Sequence, residues 1–392
     1  MVKTIAIVTS SRADYGLLRP LIRRIQEHPE LSLKLIVTGS HLDPRYGSTW
    51  EEITNDGFTI DYKIFMNPDT DSPPHITSAM GEGLKGFADV FTSFKPDLLV
   101  LLGDRYETMI TAVAASMFCI PIAHIHGGEL SEGAIDDAFR HSITKMSHLH
   151  FVATEEYRKR VIQLGESPDR VFNVGALAVE CIQSTTLLNR EELEKELHFK
   201  FQEHNLLITL HPCTLEPETT ETEITELLAA LSTLDNTGMI FTLPNADAGG
   251  LIIADNIHAF CENNEHAKAF SHLGQTKYFS CMSVVDAVVG NSSSGLFEAP
   301  IMSVPTINIG NRQNGRHKPA SIINAKADSN AIETCIINAI RTRTSSDNCI
   351  DFSYYGTGLT STKIVTFLTA LKNWKLSSKN FSDINFSIPD TL

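Results

Sequence analysis

Short apolar runs rich in valine and isoleucine alternate along this chain with longer amphipathic stretches, the pattern of βαβ units around a parallel sheet. The runs Thr4–Thr9, Leu33–Thr38, Leu98–Leu102, Ile122–Ile125 and His150–Ala153 read as strands of one sheet, with a helix between each successive pair. Leu206–Leu210, Met239–Leu243, Ala287–Val289 and Thr306–Ile309 read as strands of a second. Between the two series, the segment from Gly175 to His204 opens with small residues and turns densely charged at Asn189-Arg-Glu-Glu-Leu-Glu-Lys-Glu, which places the domain junction there. The predicted fold class is α/β, with two Rossmann-like doubly wound domains facing across a cleft. They are expected over residues 1–180 and 190–365, with a C-terminal helix and tail over 366–392. The tail after Trp374 reads as loosely ordered, and no internal repeat is visible.

A length of 392 residues exceeds a single core and fits two domains of ordinary size. With 42% hydrophobic and 20% charged residues, the composition is globular. No apolar run reaches the length of a membrane span, and Met-Val-Lys-Thr before a short strand is not a signal peptide, so a cytoplasmic location is expected. The seven cysteines are scattered, odd in number and form no CxxC pair. That points to reduced thiols and away from a disulfide framework or a zinc site. A net charge of -15 disfavours a nucleic-acid surface. An anionic substrate must then be held by a few placed cations.

In open α/β sheets ligands sit at the carboxyl ends of the strands, and the residues just beyond the strands here are the chemically loaded ones. Ser10-Ser-Arg12-Ala-Asp-Tyr-Gly16 follows the first strand, and Gly103-Asp104-Arg105 ends another. His124-Ile-His126-Gly-Gly-Glu129 offers two imidazoles, a diglycine and a carboxylate. Asp136 and Arg140 have the spacing that puts them on one helix face. In the second series come His211-Pro212, Pro244-Asn245-Ala-Asp247 and Gly310-Asn-Arg312. The run Asp286-Ala-Val-Val-Gly-Asn-Ser-Ser-Ser-Gly-Leu-Phe-Glu298 reads as a buried strand, a Ser/Gly turn and the first turn of a helix. There Ser292, Ser293 and Ser294 face an anion at the positive end of the dipole, and Glu298 accepts ribose hydroxyls.

Plainer alternatives stand beside these readings. Asn291-Ser-Ser-Ser is also a good helix N-cap with Glu298 solvated; Asp104-Arg105 is also a surface ion pair, although an acid ending a fully apolar strand is costly unless used or paired. Asp136 is also a helix cap paired to Arg140, and His211 a packed histidine. His124 is read as packed, because alternation along the strand turns it away from His126. The diglycine is read as a tight or positive-φ turn.

Taken in order, Ser-Arg12-Ala-Asp-Tyr-Gly, Gly-Asp104-Arg-Tyr-Glu, His-Ile-His126-Gly-Gly-Glu129, Ala-Ile-Asp136-Asp-Ala-Phe-Arg140-His-Ser-Ile-Thr-Lys, His211-Pro, Pro-Asn245-Ala-Asp, Gly-Asn-Ser-Ser-Ser-Gly and Gly-Asn-Arg312 resemble the UDP-N-acetylglucosamine 2-epimerase family. The similarity runs from about residue 4 to residue 365 and is greatest to the hydrolysing branch, which makes N-acetylmannosamine for sialic and related nonulosonic acids. The resemblance implies a glycosyltransferase-B-like fold. It also implies elimination of UDP from UDP-N-acetylglucosamine to a 2-acetamidoglucal, followed by hydration with inversion at C2. By the same resemblance Arg12, Arg105, His211, Asn245, Ser292, Ser293 and Arg312 hold the UDP moiety, and Glu298 the ribose. Asp104, His126 and Asp136 are the acid/base candidates, with Glu129 and Arg140 beside them. Many relatives carry glutamate at the position of His126, so Glu129 is an alternative to His126 as proton carrier. No metal or cofactor is expected; the expected partners are the UDP-sugar, the UDP product and a second copy in a homodimer. Two other activities stay open: the same reaction on UDP-2,4-diacetamido-2,4,6-trideoxyglucose, which feeds legionaminic acid, and sugar transfer to an acceptor by a glycosyltransferase. A non-catalytic nucleotide-sugar sensor is the remaining alternative.

Overall fold

The computed structural model describes residues 2–66, 68–70, 72–244, 249–343, 352–371 and 379–385. Seven strands form the first sheet: β1 (Lys3–Thr9), β2 (Leu31–Thr38), β3 (Tyr62–Ile64), β4 (Leu98–Leu102), β5 (Ile122–Ile125), β6 (Leu149–Val152) and β7 (Val171–Asn173). They lie in the order β3-β2-β1-β4-β5-β6-β7, all parallel. The second sheet contains β8 (His204–Thr209), β9 (Thr237–Thr242), β10 (Ala267–Phe270), β11 (Ala287–Gly290), β12 (Thr306–Ile309) and β13 (Ile322–Ala325), in the order β10-β9-β8-β11-β12-β13, again parallel. Helices cover both faces of each sheet, so a central strand such as β4, Leu-Leu-Val-Leu-Leu, is buried at every residue.

All nine strands expected from the apolar runs are present, each within two residues of its expected ends. The four not expected, β3, β7, β10 and β13, are the edges of the two sheets. An edge strand has one neighbour and one wetter side, so it carries no continuous apolar run. β13, Ile-Ile-Asn-Ala, is fully buried only at Ala325, and β3, Tyr-Lys-Ile, only at Ile64.

Strand order reverses between β1 and β4 in the first sheet and between β8 and β11 in the second, which opens a crevice at each point. At the second crevice Gly290 has a φ of +130°, and a Cβ there would run into the carbonyl oxygen of Thr209. Glycine alone lets the end of β11 lie this close to β8.

The chain passes from the first sheet to the second between helix Leu177–Ser184 and helix Arg190–Leu197. Leu193 and Leu197 of the latter pack with Leu207 and Val288 of the second sheet. The chain then returns, since Ile364, Val365 and Leu368 of helix Thr360–Ala370 pack with Ile5, Leu18 and Leu177 in the first core. Residues 360–365, expected with the second unit, therefore pack on the first.

The tail also differs from the expected loose end where it is described; Trp374 itself lies outside the described residues. Lys379 pairs with buried Glu166 at 2.7 Å and donates to the carbonyl of Ser147 at 2.6 Å, while the Ser382 amide donates to Gly165 O. Glu166, which also pairs with Lys145 at 2.7 Å and His150 Nε2 at 2.9 Å, is a buried anchor that holds this segment down.

Candidate active site

A cavity of about 390 Å³ lies between the two sheets, walled by the loops after β1, β4 and β5 on one bank and after β8, β11 and β12 on the other. Every site residue expected from sequence lines it except Asn245, which lies outside the described residues.

On the first bank, Asp104 ends β4 and is answered by Arg140, not by its neighbour Arg105. Arg140, on helix Asp136–Met146, is only 2% exposed. Besides Asp104 it donates to Asp137 Oδ1 (3.4 Å), Ser131 Oγ (3.1 Å) and the carbonyl of Glu129 (3.0 Å). Burial works against its charge, yet Asp104, Glu129, Asp137 and Asp136 outweigh it and hold the pKa above the ordinary arginine value. The helix begins at Asp136 with Ile135 as N-cap, so Asp136 is a first-turn residue on the cavity wall and not the cap. Arg105 donates through Nε to Glu107 Oε2 at 3.2 Å, and burial pushes the Glu107 carboxyl above its usual range.

His126 directly follows β5 with a φ of +65°, a left-handed conformation uncommon outside glycine and costly to hold. The two glycines after it make the turn possible. Gly128 has a φ of +81°, and a Cβ there would lie 2.5 Å from the carbonyl oxygen of Tyr157. This turn brings Glu129 back beneath the imidazole, with Nδ1 at 3.4 Å from Glu129 Oε1. His126 Nε2 is buried with no hydrogen-bond partner among the described residues. Burial lowers the His126 pKa, and Glu129 offsets part of that. The imidazole is therefore neutral near pH 7, with Nε2 uncommitted. His124 makes the contrast: wholly buried, its ring bonds Gly103 O at 2.7 Å and Thr144 Oγ1 at 3.1 Å, and burial drives its pKa down to about 3. It is the packed histidine that strand alternation implied.

On the side of the β1 and β11 loops, the first helix already starts at Arg12, inside the Ser10–Gly16 motif, capped by Ser11 with Asp14 closing the capping box. Asp14 turns back onto its own loop, accepting from Thr9 Oγ1, Ser10 N and Ser11 N at 2.7–2.9 Å. Arg12 is left to face the cavity, and its Nη1 is buried without a partner among the described residues. Burial lowers its pKa, and Glu52 counters this.

Ser292–Glu298 departs from the expected helix start. A 3₁₀ turn, Ser293–Gly295, is followed by a single α-helical turn, Glu298–Ile301, which contains Pro300. Proline removes a donor, and β12 begins at Thr306, so no long helix can form and its dipole is small. What this turn offers an anion is amides and hydroxyls. Ser292 Oγ accepts from Ser294 N at 3.3 Å, and Tyr278 donates to Ser294 Oγ at 2.7 Å. Burial raises the Glu298 pKa, opposed in part by its bond to Ser294. His211 N donates to Asn291 Oδ1 at 2.7 Å and Asn291 Nδ2 returns a bond to His211 O at 2.8 Å, pinning the ends of β8 and β11 together. Arg312 reaches Asn291 O through Nη1 at 3.2 Å, while its Nε is buried without a partner among the described residues.

One residue on the wall was absent from the sequence reading. Arg316, beyond β12, crosses to the first bank, where its Nε donates to Leu130 O (2.9 Å), its Nη2 to Ser131 Oγ (2.8 Å), and its Nη1 stands 3.6 Å from Glu129 Oε2. The only signal was a second arginine four residues after Arg312. Among the described residues no group of three or more His, Cys, Asp or Glu is placed to hold a metal ion.

Two doubly wound domains that meet at strand ends, with guanidinium atoms buried without hydrogen-bond partners among the described residues, define an α/β protein of the glycosyltransferase-B-like class. Comparison with known proteins narrows this. The UDP-N-acetylglucosamine 2-epimerase family matches residues 23–369. The chain is 46% identical over 325 residues to a Campylobacter jejuni protein named GDP/UDP-N,N'-diacetylbacillosamine 2-epimerase (hydrolyzing), covering 83% of this chain and 84% of that one. It is 34% identical over 373 residues to a Legionella pneumophila protein named UDP-N,N'-diacetylbacillosamine 2-epimerase (hydrolyzing), covering 95% and 97%. The crystal structure of UDP-GlcNAc 2-epimerase from Neisseria meningitidis bound to UDP-GlcNAc superposes with a TM-score of 0.78 at 17% identity, over 94% of this chain and 100% of that one; at that identity the likeness shows the fold. The chain belongs to the UDP-N-acetylglucosamine 2-epimerase family and is an enzyme of it, standing among relatives of the hydrolysing branch.

Proposed function

We propose that this enzyme is a hydrolysing UDP-sugar 2-epimerase that converts UDP-N-acetylglucosamine and water to UDP and N-acetylmannosamine. One observation carries the reading: His126 Nε2, Arg12 Nη1 and Arg312 Nε are buried polar atoms without partners among the described residues, on the walls of one cavity. A neutral imidazole on one bank and guanidinium groups around the Ser292–Ser293 turn suit the removal of a carbon-bound proton as a diphosphate leaves. In the first half-reaction His126 Nε2 takes the C2 proton, the C1–O bond breaks, and the electron pair leaves with UDP. Arg12, His211, Arg312 and the serine turn stabilise the departing charge, with Arg105 on the opposite wall, Glu298 on the ribose and Asn245 on the nucleotide. In the second, water adds across the C1=C2 bond of the 2-acetamidoglucal. Its hydroxyl goes to C1 and a proton reaches C2 from the opposite face, with Asp104 and Asp136 guiding the water and Arg140 holding the Asp104 side chain in place. Glu129 backs His126 through Nδ1.

A second reading of the sugar is favoured by the names of the two relatives above, which denote the 2,4-diacetamido-2,4,6-trideoxy sugar. The reaction and residues would be the same. The test is UDP release from each sugar nucleotide with no acceptor present. Release from either one supports the hydrolysing reaction, and the faster of the two identifies the sugar. Release only when an acceptor is added would make the protein a transferase. A cytoplasmic homodimer belongs to the same proposal and is checked by light scattering of the purified protein.

A further inference from the structure

We infer that Arg316 is a positioning residue of this site: through it the second domain holds the His126–Glu129 pair of the first domain in register for proton transfer. The inference rests on the proposed function and deepens it.

Arg316 belongs to the β12 side by sequence and to the β5 side by contact. Its guanidinium is wholly occupied by the loop after β5, bonding Leu130 O and Ser131 Oγ and facing Glu129, while its Cζ stands 5.5 Å from the ring centroid of Phe297, next to Glu298. One side chain thus touches the loop that carries the acid/base pair and the turn assigned to the nucleotide. The backbone around it is clamped as well. Glu132 N donates to Asn314 O at 3.1 Å, and a Cβ on Gly133 would lie 2.7 Å from Arg312 Cα. Small residues let the two loops meet, and Arg316 fills the contact.

Chemistry gives the reason for an arginine. Glu129 is 5% exposed, and its Oε1 has no hydrogen-bond partner among the described residues. Its carboxylate faces two nitrogens, His126 Nδ1 at 3.4 Å and Arg316 Nη1 at 3.6 Å. Without Arg316, the one ion-pair nitrogen left within 4 Å of this buried carboxylate among the described residues is that of His126, whose backbone holds the strained φ of +65°, while Arg140 acts from farther away. The titratable groups acting on His126 are Glu129, Arg140, Arg316 and Asp104; those acting on Arg316 are Glu129, Arg140, Asp104 and the phenol of Tyr157. Arg316 is among the cations that keep His126 neutral.

The test compares Arg316→Met and Arg316→Lys with wild type in three readouts: kcat, UDP affinity by calorimetry, and titration of the His126 Cε1–H by NMR. Arg316→Met is expected to lose about 100-fold in kcat, the cost of a small misplacement of a reacting group, with UDP affinity kept within about threefold. The His126 titration is expected to move to higher pH, because a nearby cation is gone. Arg316→Lys keeps the charge and should return the titration toward wild type while recovering only part of kcat. Unchanged kcat with an unmoved titration in Arg316→Met would overturn the inference; so would a loss confined to UDP affinity, which would make Arg316 a nucleotide ligand. If wild-type protein turns over neither sugar nucleotide, the functional reading fails, and the His126 titration still reports whether Arg316 governs the pair.

Discussion

Replacing Arg140 by methionine tests whether the cluster on the first bank is held as described. The guanidinium is fully buried and bonds Asp104, Asp137, Ser131 Oγ and Glu129 O. Methionine fills similar space and leaves the carboxylate of Asp104 and a buried backbone acceptor without their donor. Removing one partner of a buried pair costs about 3–5 kcal/mol, which in a domain of this size lowers the unfolding temperature by on the order of 10 °C. Asp104→Asn should cost less, about 1–3 kcal/mol, because Asp104 is partly exposed and Arg140 keeps its other three acceptors. Once Arg140 is gone, neutralising Asp104 removes the stranded charge, so the double variant should be more stable than the sum of the singles by about 1–3 kcal/mol. Urea unfolding of the three variants gives the cycle directly. Additivity within about 0.5 kcal/mol would show that the two residues do not act as a pair and would refute the reasoning.

Other expectations are simpler. Arg12→Ala removes a guanidinium whose buried Nη1 has no hydrogen-bond partner among the described residues, so UDP binding by calorimetry should weaken by about 10–100-fold, the worth of one charge-assisted hydrogen bond, with little loss of stability. His126→Ala should cut turnover by about 100-fold or more while leaving UDP affinity nearly unchanged; wild-type-like turnover would remove His126 from the chemistry. Acid stability follows from His41 and His124, both wholly buried, whose pKa values burial lowers to about 4 and about 3. In the unfolded chain each takes a proton near pH 6.5, so their stabilisation is full above that pH and is lost as pH falls toward 4. The loss is about 2–3 kcal/mol per pH unit for the two together. Unfolding titrations between pH 7 and 5 should fall less steeply in His124→Gln than in wild type, by about 1.4 kcal/mol per pH unit at the acid end of that range.

Where apolar runs are fully buried on both faces, as in β4 and β5, sequence alone located the strands. It failed at β3, β7, β10 and β13, where one neighbour and partial exposure leave no periodic signal. The strand-end rule brought Arg12, Asp104, His126, Asp136 and His211 to one cavity because topology alone decides where strand ends meet. It could not foresee that Asp104 would pair with Arg140 and not with Arg105, since that choice belongs to a helix from another part of the chain. Arg316 was invisible for the same reason: its importance lies in a contact between domains. The serine turn reads in sequence as leading into the first turn of a helix because Ser/Gly composition is shared by 3₁₀ turns and α-helix caps, and Pro300, in the single α-helical turn, lies beyond that motif. Lys379 docks on Glu166 across more than two hundred residues, a distance at which local composition carries no information.

Proton NMR of the enzyme with UDP-N-acetylglucosamine, and separately with its 2,4-diacetamido-6-deoxy counterpart, in D2O tests the central claim most directly. The account calls for free UDP together with a free sugar of inverted C2 configuration bearing deuterium at C2, because the proton returned to C2 comes from solvent after elimination. UDP release with the C2 proton retained and its configuration unchanged would be simple glycosidic hydrolysis, and would contradict both the elimination step and the role given to His126.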